Sequence, residues 1–126
     1  MKLSNYLFFR DGCEAALTFY EQCGFGSVGS LVRYPEGPMQ GKVMHASFSG
    51  RGVHFFASDN HDAEPMRGSA MMFELSDRVQ TEQLFERLAL GGQVTTPLGV
   101  QAWGDYYGKL TDQFGVQWML NCSGAS

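Results

Sequence analysis

The sequence carries one pattern twice, and this duplication constrains the fold more than any other feature. Residues 19–28 and residues 85–94 place Phe, Gly and Val at the same relative positions, 66 residues apart (85 minus 19). Residues 52–58 and 115–121, which read GVHFFAS and GVQWMLN, match at an offset of 63 (115 minus 52). Solenoid repeats have periods of about twenty to fifty residues and need at least three copies. Two longer copies instead predict two similar modules.

Hydrophobic periodicity predicts the same order of elements in both halves, namely one strand, one helix and three strands. Asp11 and Gly12 precede the first predicted helix, and Gly24 is placed to end it. A turn at Gly50 and Arg51 joins two of the strands. The predicted elements are strand 3–10, helix 13–23, strands 27–34, 42–49 and 52–58, then strand 70–76, helix 79–90 and strands 93–98, 104–111 and 115–121.

This order predicts an α+β fold made of two βαβββ modules within one domain, 1–126. The modules span 1–58 and 69–126, and a polar segment that Pro65 interrupts, 59–68, links them. Strands such as Val53–Phe56 are apolar on both alternating faces. We therefore expect curved mixed sheets, each covered by a helix on one side and curled around a cavity on the other.

Composition excludes several classes of function. The 126-residue chain is 44% hydrophobic and 17% charged, with a formal net charge of −4, so it lacks the positive surface that nucleic acid or anionic lipid requires. Its three cysteines show no CxxC spacing, which favours neither a disulfide framework nor a zinc knuckle and suits a reducing cytoplasm. No apolar run approaches the roughly 20 residues of a membrane span. We expect a cytoplasmic protein.

Three stretches of sequence resemble a known family. They read YLFFRDGCEAALTFYEQCGF, GKVMHASFSGRGVHFFASD and WGDYYGKLTDQFGVQWMLN, and they resemble the PhnB-like branch of the vicinal oxygen chelate superfamily, which includes glyoxalase, bleomycin-resistance and dioxygenase proteins. The match covers nearly the whole chain, and the stretch from Trp103 to Trp118 is its most specific part. Some members of this branch are labelled methyltransferase domains. This sequence lacks the Gly-rich strand-to-helix turn that a nucleotide-type cofactor needs.

The resemblance implies a small-molecule cavity and, in metal-dependent relatives, one divalent ion held by the first and last strands of each module. The last-strand ligand positions carry over to Phe56 and Met119, and the first-strand positions fall near Asn5 and Met71. Divalent ions need imidazole, carboxylate or several oxygen ligands, and this set offers one amide oxygen. We therefore predict that the family's metal site is lost and that no cofactor is bound.

Strand alternation predicts which side chains line the cavity. One strand offers His54, Phe56 and Ser58, and its counterpart offers Gln117, Met119 and Asn121. Pairing across the turn at 50–51 sets Ser47 against His54 and His45 against Phe56. Ser47 and His45 are therefore expected on the same side of the sheet, facing the cavity. Three nearby aromatic residues could stack on a ligand and orient it. The predicted ligand-binding residues are His45, Ser47, His54, Phe56, Ser58, Trp103, Tyr106, Tyr107, Gln117, Met119 and Asn121.

Each candidate also has a purely structural interpretation. His45 and His54 are the candidate catalytic residues because imidazole moves protons near neutral pH, but they also fit half-buried strand positions. Cys13 at a helix start could be a nucleophile with a lowered pKa, or could simply pack. The linker's acidic residues and His61 fit a solvated loop, and Asp112 fits a turn.

Three hypotheses follow. The first is a small-molecule-binding protein without the family's metal. The alternative is a divalent-metal-dependent enzyme of isomerase, lyase or dioxygenase type that uses the displaced ligands His45, His54 and Gln117. The third treats the polar linker and the apolar strands as parts of a dimer interface with no ligand. A homodimer is expected in any case, because the resemblance implies relatives that commonly dimerise.

Overall fold

The computed structural model describes residues 1–123, which form two four-stranded sheets and two helices. The predicted α+β fold of two βαβββ modules is confirmed. The chain divides into a unit spanning Met1–Pro65 and a second unit that begins at Met66. The elements are β1 (Asn5–Phe9), α1 (Cys13–Cys23), β2 (Ser27–Arg33), β3 (Val43–Gly50), β4 (Val53–Asp59), β5 (Met71–Leu75), α2 (Arg78–Ala89), β6 (Gln93–Val100), β7 (Tyr106–Thr111) and β8 (Gln117–Cys122).

The two sheets have the same topology. The strand order is β1-β4-β3-β2 in the first sheet and β5-β8-β7-β6 in the second. In each sheet the first strand runs parallel to the last, and the remaining neighbours are antiparallel. No helix among residues 1–123 is long and apolar enough to cross a membrane.

Helix α1 covers one face of the first sheet, where aromatic side chains form the core. The ring of Tyr20 lies 6.3 Å from both Phe48 and Phe55, which are fully buried and stack on each other at 5.0 Å. The helix ends at Gly24, whose φ of 91° is the left-handed conformation that glycine adopts without steric cost.

Asp59, at the end of β4, anchors the start of α1. Its Oδ1 accepts hydrogen bonds from the backbone N–H groups of Gly12 (3.1 Å) and Cys13 (2.9 Å), and its Oδ2 accepts one from Val43 (2.9 Å). The side chain is only 3% exposed. Asp59 was expected in a solvated loop, and that expectation is wrong. The carboxylate instead satisfies helix N–H groups that have no partner within the helix.

Helix α2 covers one face of the second sheet. Asp77 caps its N-terminus by accepting hydrogen bonds from the backbone N–H groups of Val79 and Gln80. Beneath the helix, a Cβ on Gly108 would lie 2.8 Å from the ring of Phe85, so the close approach of helix and strand requires glycine there. Asp112 is buried and accepts a hydrogen bond from the indole N–H of Trp118 at 2.8 Å.

The hairpin between β3 and β4 corrects the predicted register. The turn is formed by Arg51 and Gly52 rather than by Gly50 and Arg51, since Gly50 pairs with Val53. Gly52 has a φ of 74°, a left-handed turn conformation that favours glycine at this position. The pairing therefore shifts by two residues, so that Ser47 lies opposite Phe56. A shift of two leaves every side chain on its predicted face.

Candidate functional site

Each sheet has a face that its own helix does not cover, which we call its open face. Partner residues in the register point to the same side of a sheet, so the open faces follow from the pairing. The open face of the first sheet consists of Tyr6, Phe8, His45, Ser47, His54, Phe56 and Ser58. The open face of the second sheet consists of Met72, Glu74, Thr96, Tyr107, Lys109, Thr111, Gln117, Met119 and Asn121.

Phe56 is the centre of an array of rings on the open face of the first sheet. Its ring centroid lies 6.1 Å from Tyr6 and 5.4 Å from His45, with the rings nearly parallel, and 4.8 Å from His54 in an edge-on arrangement. Phe8 stacks on Tyr6 at 4.7 Å and is 47% exposed. The array is therefore a cluster of stacked and edge-on rings on this face, and its outermost member, Phe8, is exposed.

The two candidate catalytic histidines lie on opposite sides of Phe56. Continuing the register past Ala46 and Ala57 sets His45 beside Ser58, whereas His54 pairs with Ser49. Four residues along a strand separate these backbone positions by about 13 Å. Both imidazoles lie against the Phe56 ring, so their centroids are at most 10.2 Å apart (5.4 plus 4.8). The hydroxyl of Tyr6 lies 3.4 Å from Nδ1 of His45, which leaves Nε2 of that ring for another partner.

The two predicted pocket serines already have partners within the first unit. The Ser47 hydroxyl oxygen accepts a hydrogen bond from the backbone N–H of Ser30 at 2.9 Å and lies 3.1 Å from its hydroxyl. Ser58 is buried and donates to the side-chain oxygen of Asn60. Both hydroxyls thus contribute mainly to the sheet.

On the open face of the second sheet, two of the predicted amides are oriented by neighbours. Gln117 donates through Nε2 to the backbone carbonyl of Ser69 at 2.9 Å. Asn121 donates through Nδ2 to Oδ2 of Asp105 at 3.0 Å. Because each amide nitrogen is engaged in this way, each side chain presents its carbonyl oxygen as an acceptor. Met119 lies between them on β8.

The three predicted aromatic residues separate into different environments. Tyr106 is only 6% exposed and faces α2, where its hydroxyl donates to Glu82 at 3.2 Å and the guanidinium of Arg78 lies 4.1 Å from the ring centroid. Placing Tyr106 in the ligand site was therefore wrong, since strand alternation sends it into the core. Tyr107 is on the open face, and Trp103, 64% exposed, lies 6.1 Å from its ring.

The first-strand positions inferred for a metal are each displaced by one residue. Asn5 pairs with Phe55 and Met71 pairs with Trp118, which are helix-side positions. Four open-face pairs bridge the first and last strands, and two of them contain the inferred last-strand ligand positions, namely Tyr6 with Phe56 and Met72 with Met119; the other two are Phe8 with Ser58 and Glu74 with Asn121. Two aromatic rings and two thioethers do not fit a hard or borderline divalent ion, which needs imidazole or oxygen ligands.

Of the displaced ligand set of the alternative hypothesis, His45 and His54 both lie against the ring of Phe56 in the first unit. Within residues 1–123, no group of three or more His, Cys, Asp or Glu side chains has an arrangement that could hold a metal ion.

Cys13 is not an activated thiol. Burial, together with the negative charges of Asp59 and Glu14, raises the pKa of the Cys13 thiol from 9.0 to about 12. The expectation that the helix N-terminus would lower this pKa is wrong, because the thiol is buried and the carboxylate of Asp59 adds to the rise. Cys13 is a core residue.

Seven of the open-face residues named above are absent from the predicted ligand-binding set: Tyr6, Phe8, Met72, Glu74, Thr96, Lys109 and Thr111. Tyr6 and Phe8 follow from alternation along β1, and Glu74 and Lys109 follow from alternation along β5 and β7. The two-residue period of each strand is the signal that identifies them.

Comparison with known proteins places the chain among relatives of similar size. The sequence matches the Glyoxalase/Bleomycin resistance protein/Dioxygenase superfamily over residues 2–120. Protein Mb0911c of Mycobacterium bovis is 34% identical over 121 residues, which span 87% of this chain and 76% of that protein. Among solved structures, protein PA1353 of Pseudomonas aeruginosa is 33% identical, with a TM-score of 0.87 over 97% of both chains. A Bacillus cereus PhnB protein, described as a 3-demethylubiquinone-9 3-methyltransferase, is 27% identical, with a TM-score of 0.85 over 98% of this chain and 100% of its own.

Proposed function

We propose that this chain, which belongs to the Glyoxalase/Bleomycin resistance protein/Dioxygenase superfamily, is a small-molecule-binding protein that works without a metal at the family's ligand positions. The observation that carries the proposal is the chemistry of the two strand-bridging pairs. Tyr6 faces Phe56 in the first sheet, and Met72 faces Met119 in the second. These side chains offer stacking and dispersion contacts rather than ligands for a divalent ion.

The aromatic array supports binding of a planar group on the first sheet. The rings of Tyr6 and its neighbours Phe8 and Phe56 stack at 4.7 to 6.1 Å, and Phe8 is exposed while Phe56 is half-buried. Apolar surfaces of this kind, with a few polar groups at fixed positions, are typical of small-molecule sites. His45 supplies such a polar group, since Tyr6 holds its Nδ1.

Thermal-shift measurements with a panel of aromatic metabolites and divalent metals test the proposal. At concentrations far above its dissociation constant, a ligand stabilises the folded protein by a few kcal/mol. We expect at least one planar compound to raise the melting temperature of the wild-type protein. The same compound should have a smaller effect on Phe56→Leu, which keeps an apolar side chain but removes the ring.

The matched control is Phe114→Leu, which changes the same side chain in the loop between β7 and β8 of the second unit. If a compound no longer raises the melting temperature of either variant, the cause is a general loss of protein stability rather than the loss of the stacking contact with Phe56. A metal that raises the melting temperature by more than any compound would contradict the proposal. A homodimer and a cytoplasmic location stay predictions.

A further inference from the structure

Lys109 occupies the middle of the open face of the second sheet. It pairs with Met119 on β8 and with Thr96 on β6, and Tyr107 and Thr111 flank it along its own strand. The Lys109 residue is half-buried rather than extended into solvent. Three hydroxyl-bearing residues are therefore the neighbours of Lys109 on this face, together with the apolar Met119.

Among residues 1–123, no ion pair or hydrogen bond engages the ammonium of Lys109. The hydroxyl of Thr95 donates to the backbone carbonyl of Lys109 at 3.2 Å, which leaves the ammonium itself unengaged by these residues. In the first sheet the corresponding position, the β3 residue paired with Phe56, is Ser47, whose hydroxyl is engaged by Ser30. The second sheet thus differs from the first because it presents a cation for which residues 1–123 provide no hydrogen-bond acceptor.

The charges on this face define the kind of anion it fits. Lys109 is the one cation of this face among the described strands, and Glu74 is an anion on β5. The carboxylate of Asp105, just before β7, also reaches the face, where it accepts a hydrogen bond from Asn121. Lys109 and Glu74 lie two strands apart, about 10 Å in the direction across the sheet. One ammonium balances a single negative charge, and the two carboxylates disfavour a second. Met72 and Met119 offer an adaptable apolar surface for the rest of the ligand.

We propose that Lys109, with the hydroxyls of Thr96, Tyr107 and Thr111, is a subsite for the carboxylate of a small organic monoacid with an apolar body. This inference rests on the proposed small-molecule binding and names the chemical class of the ligand. A hydrogen bond between ionised groups is stronger than one between neutral groups, so the acid is preferred over its neutral amide.

Titration of the full-length, 15N-labelled protein with benzoate, benzamide and phenyl phosphate, followed by NMR at pH 7.5, tests the subsite. We expect benzoate to shift the amide signals of β7 and to bind about tenfold more tightly than benzamide. Lys109→Met should bring the two affinities within about twofold, and Lys109→Arg should retain the preference for the acid. Lys42→Met, which removes an equal charge from the first unit, should leave the preference unchanged.

Each result has a defined meaning. Equal binding of benzoate and benzamide to the wild-type protein overturns the carboxylate subsite, and so does an acid preference that survives in Lys109→Met. Tighter binding of phenyl phosphate than of benzoate overturns the choice of a monoanion. No shift on β7 with benzoate overturns the subsite alone, because the proposed function is judged separately by its compound and metal panel.

Discussion

The rings of Tyr6 and Phe56 face each other across β1 and β4, with their centroids 6.1 Å apart. In this fold the first and last strands of a module are hydrogen-bonded neighbours, so a side chain from each meets on the open face. The second sheet repeats the relationship with Met72 and Met119. In both sheets, therefore, apolar side chains of the first and last strands are paired at these positions.

Asp59 should be a main determinant of the stability of the first unit. Asp59→Asn leaves an amide N–H₂ group facing the backbone N–H of Val43, so one hydrogen bond is lost and two donors oppose each other. We expect the free energy of unfolding to fall by about 2 to 4 kcal/mol in urea denaturation. Asp11→Asn, at an exposed ion pair with Lys42, should change it by less than about 0.5 kcal/mol. Equal effects of the two substitutions would contradict this role.

Cys13 should make stability depend on alkaline pH. Its pKa is raised from 9.0 to about 12 on folding, so the folded protein holds this proton more tightly than the unfolded chain. The resulting stability is fully present below pH 9 and is lost as pH rises through the range from 9 to 12. We therefore expect Cys13→Ala to unfold with a shallower loss of stability above pH 9 than the wild-type protein, and parallel slopes would contradict the assignment.

The duplicated pattern was enough to predict the order of the elements and the fold, and the family suggested by the sequence motifs is confirmed. Alternation along β4 and β8 also placed Phe56 and Met119 on the open faces. The details that depend on one residue could not be predicted. The turn was predicted at Gly50 and Arg51, but it contains Gly52, because the backbone geometry decides which of the two glycines adopts the positive φ. Tyr106 and Tyr107 are neighbours of the same type, and only the register shows which one faces α2.

The two tyrosines provide a direct test of this division. Tyr106→Phe removes a hydrogen bond to Glu82 in a partly buried site, and we expect it to lower the free energy of unfolding by about 1 kcal/mol without changing benzoate affinity. Tyr107→Phe should have the opposite profile, with unchanged stability and weaker binding of benzoate. Calorimetric unfolding and NMR titration of both variants measure the two effects. A loss of benzoate affinity in Tyr106→Phe and a loss of stability in Tyr107→Phe would contradict the assignment of Tyr107 to the open face.

Gly108 should be intolerant of a side chain. Gly108→Ala places a Cβ 2.8 Å from Phe85 and 2.9 Å from Leu98, and such overpacking costs about 1 to 3 kcal/mol. Gly99→Ala is the matched control on the neighbouring strand, because its nearest contact would be 3.9 Å away. Urea denaturation of the two variants should show a clear loss only for Gly108→Ala. Equal stabilities would mean that α2 lies farther from β7 than described.

The central claim is that the open faces bind a small molecule without the family's metal. Elemental analysis of untagged protein, purified from cells grown with added Zn, Ni, Mn and Fe, combined with ligand titration in EDTA, tests it most directly. We predict much less than one metal ion per chain and an unchanged affinity for the best compound of the panel after chelation. One tightly held metal ion per chain, with binding that disappears in EDTA and returns when the ion is restored, would contradict the account.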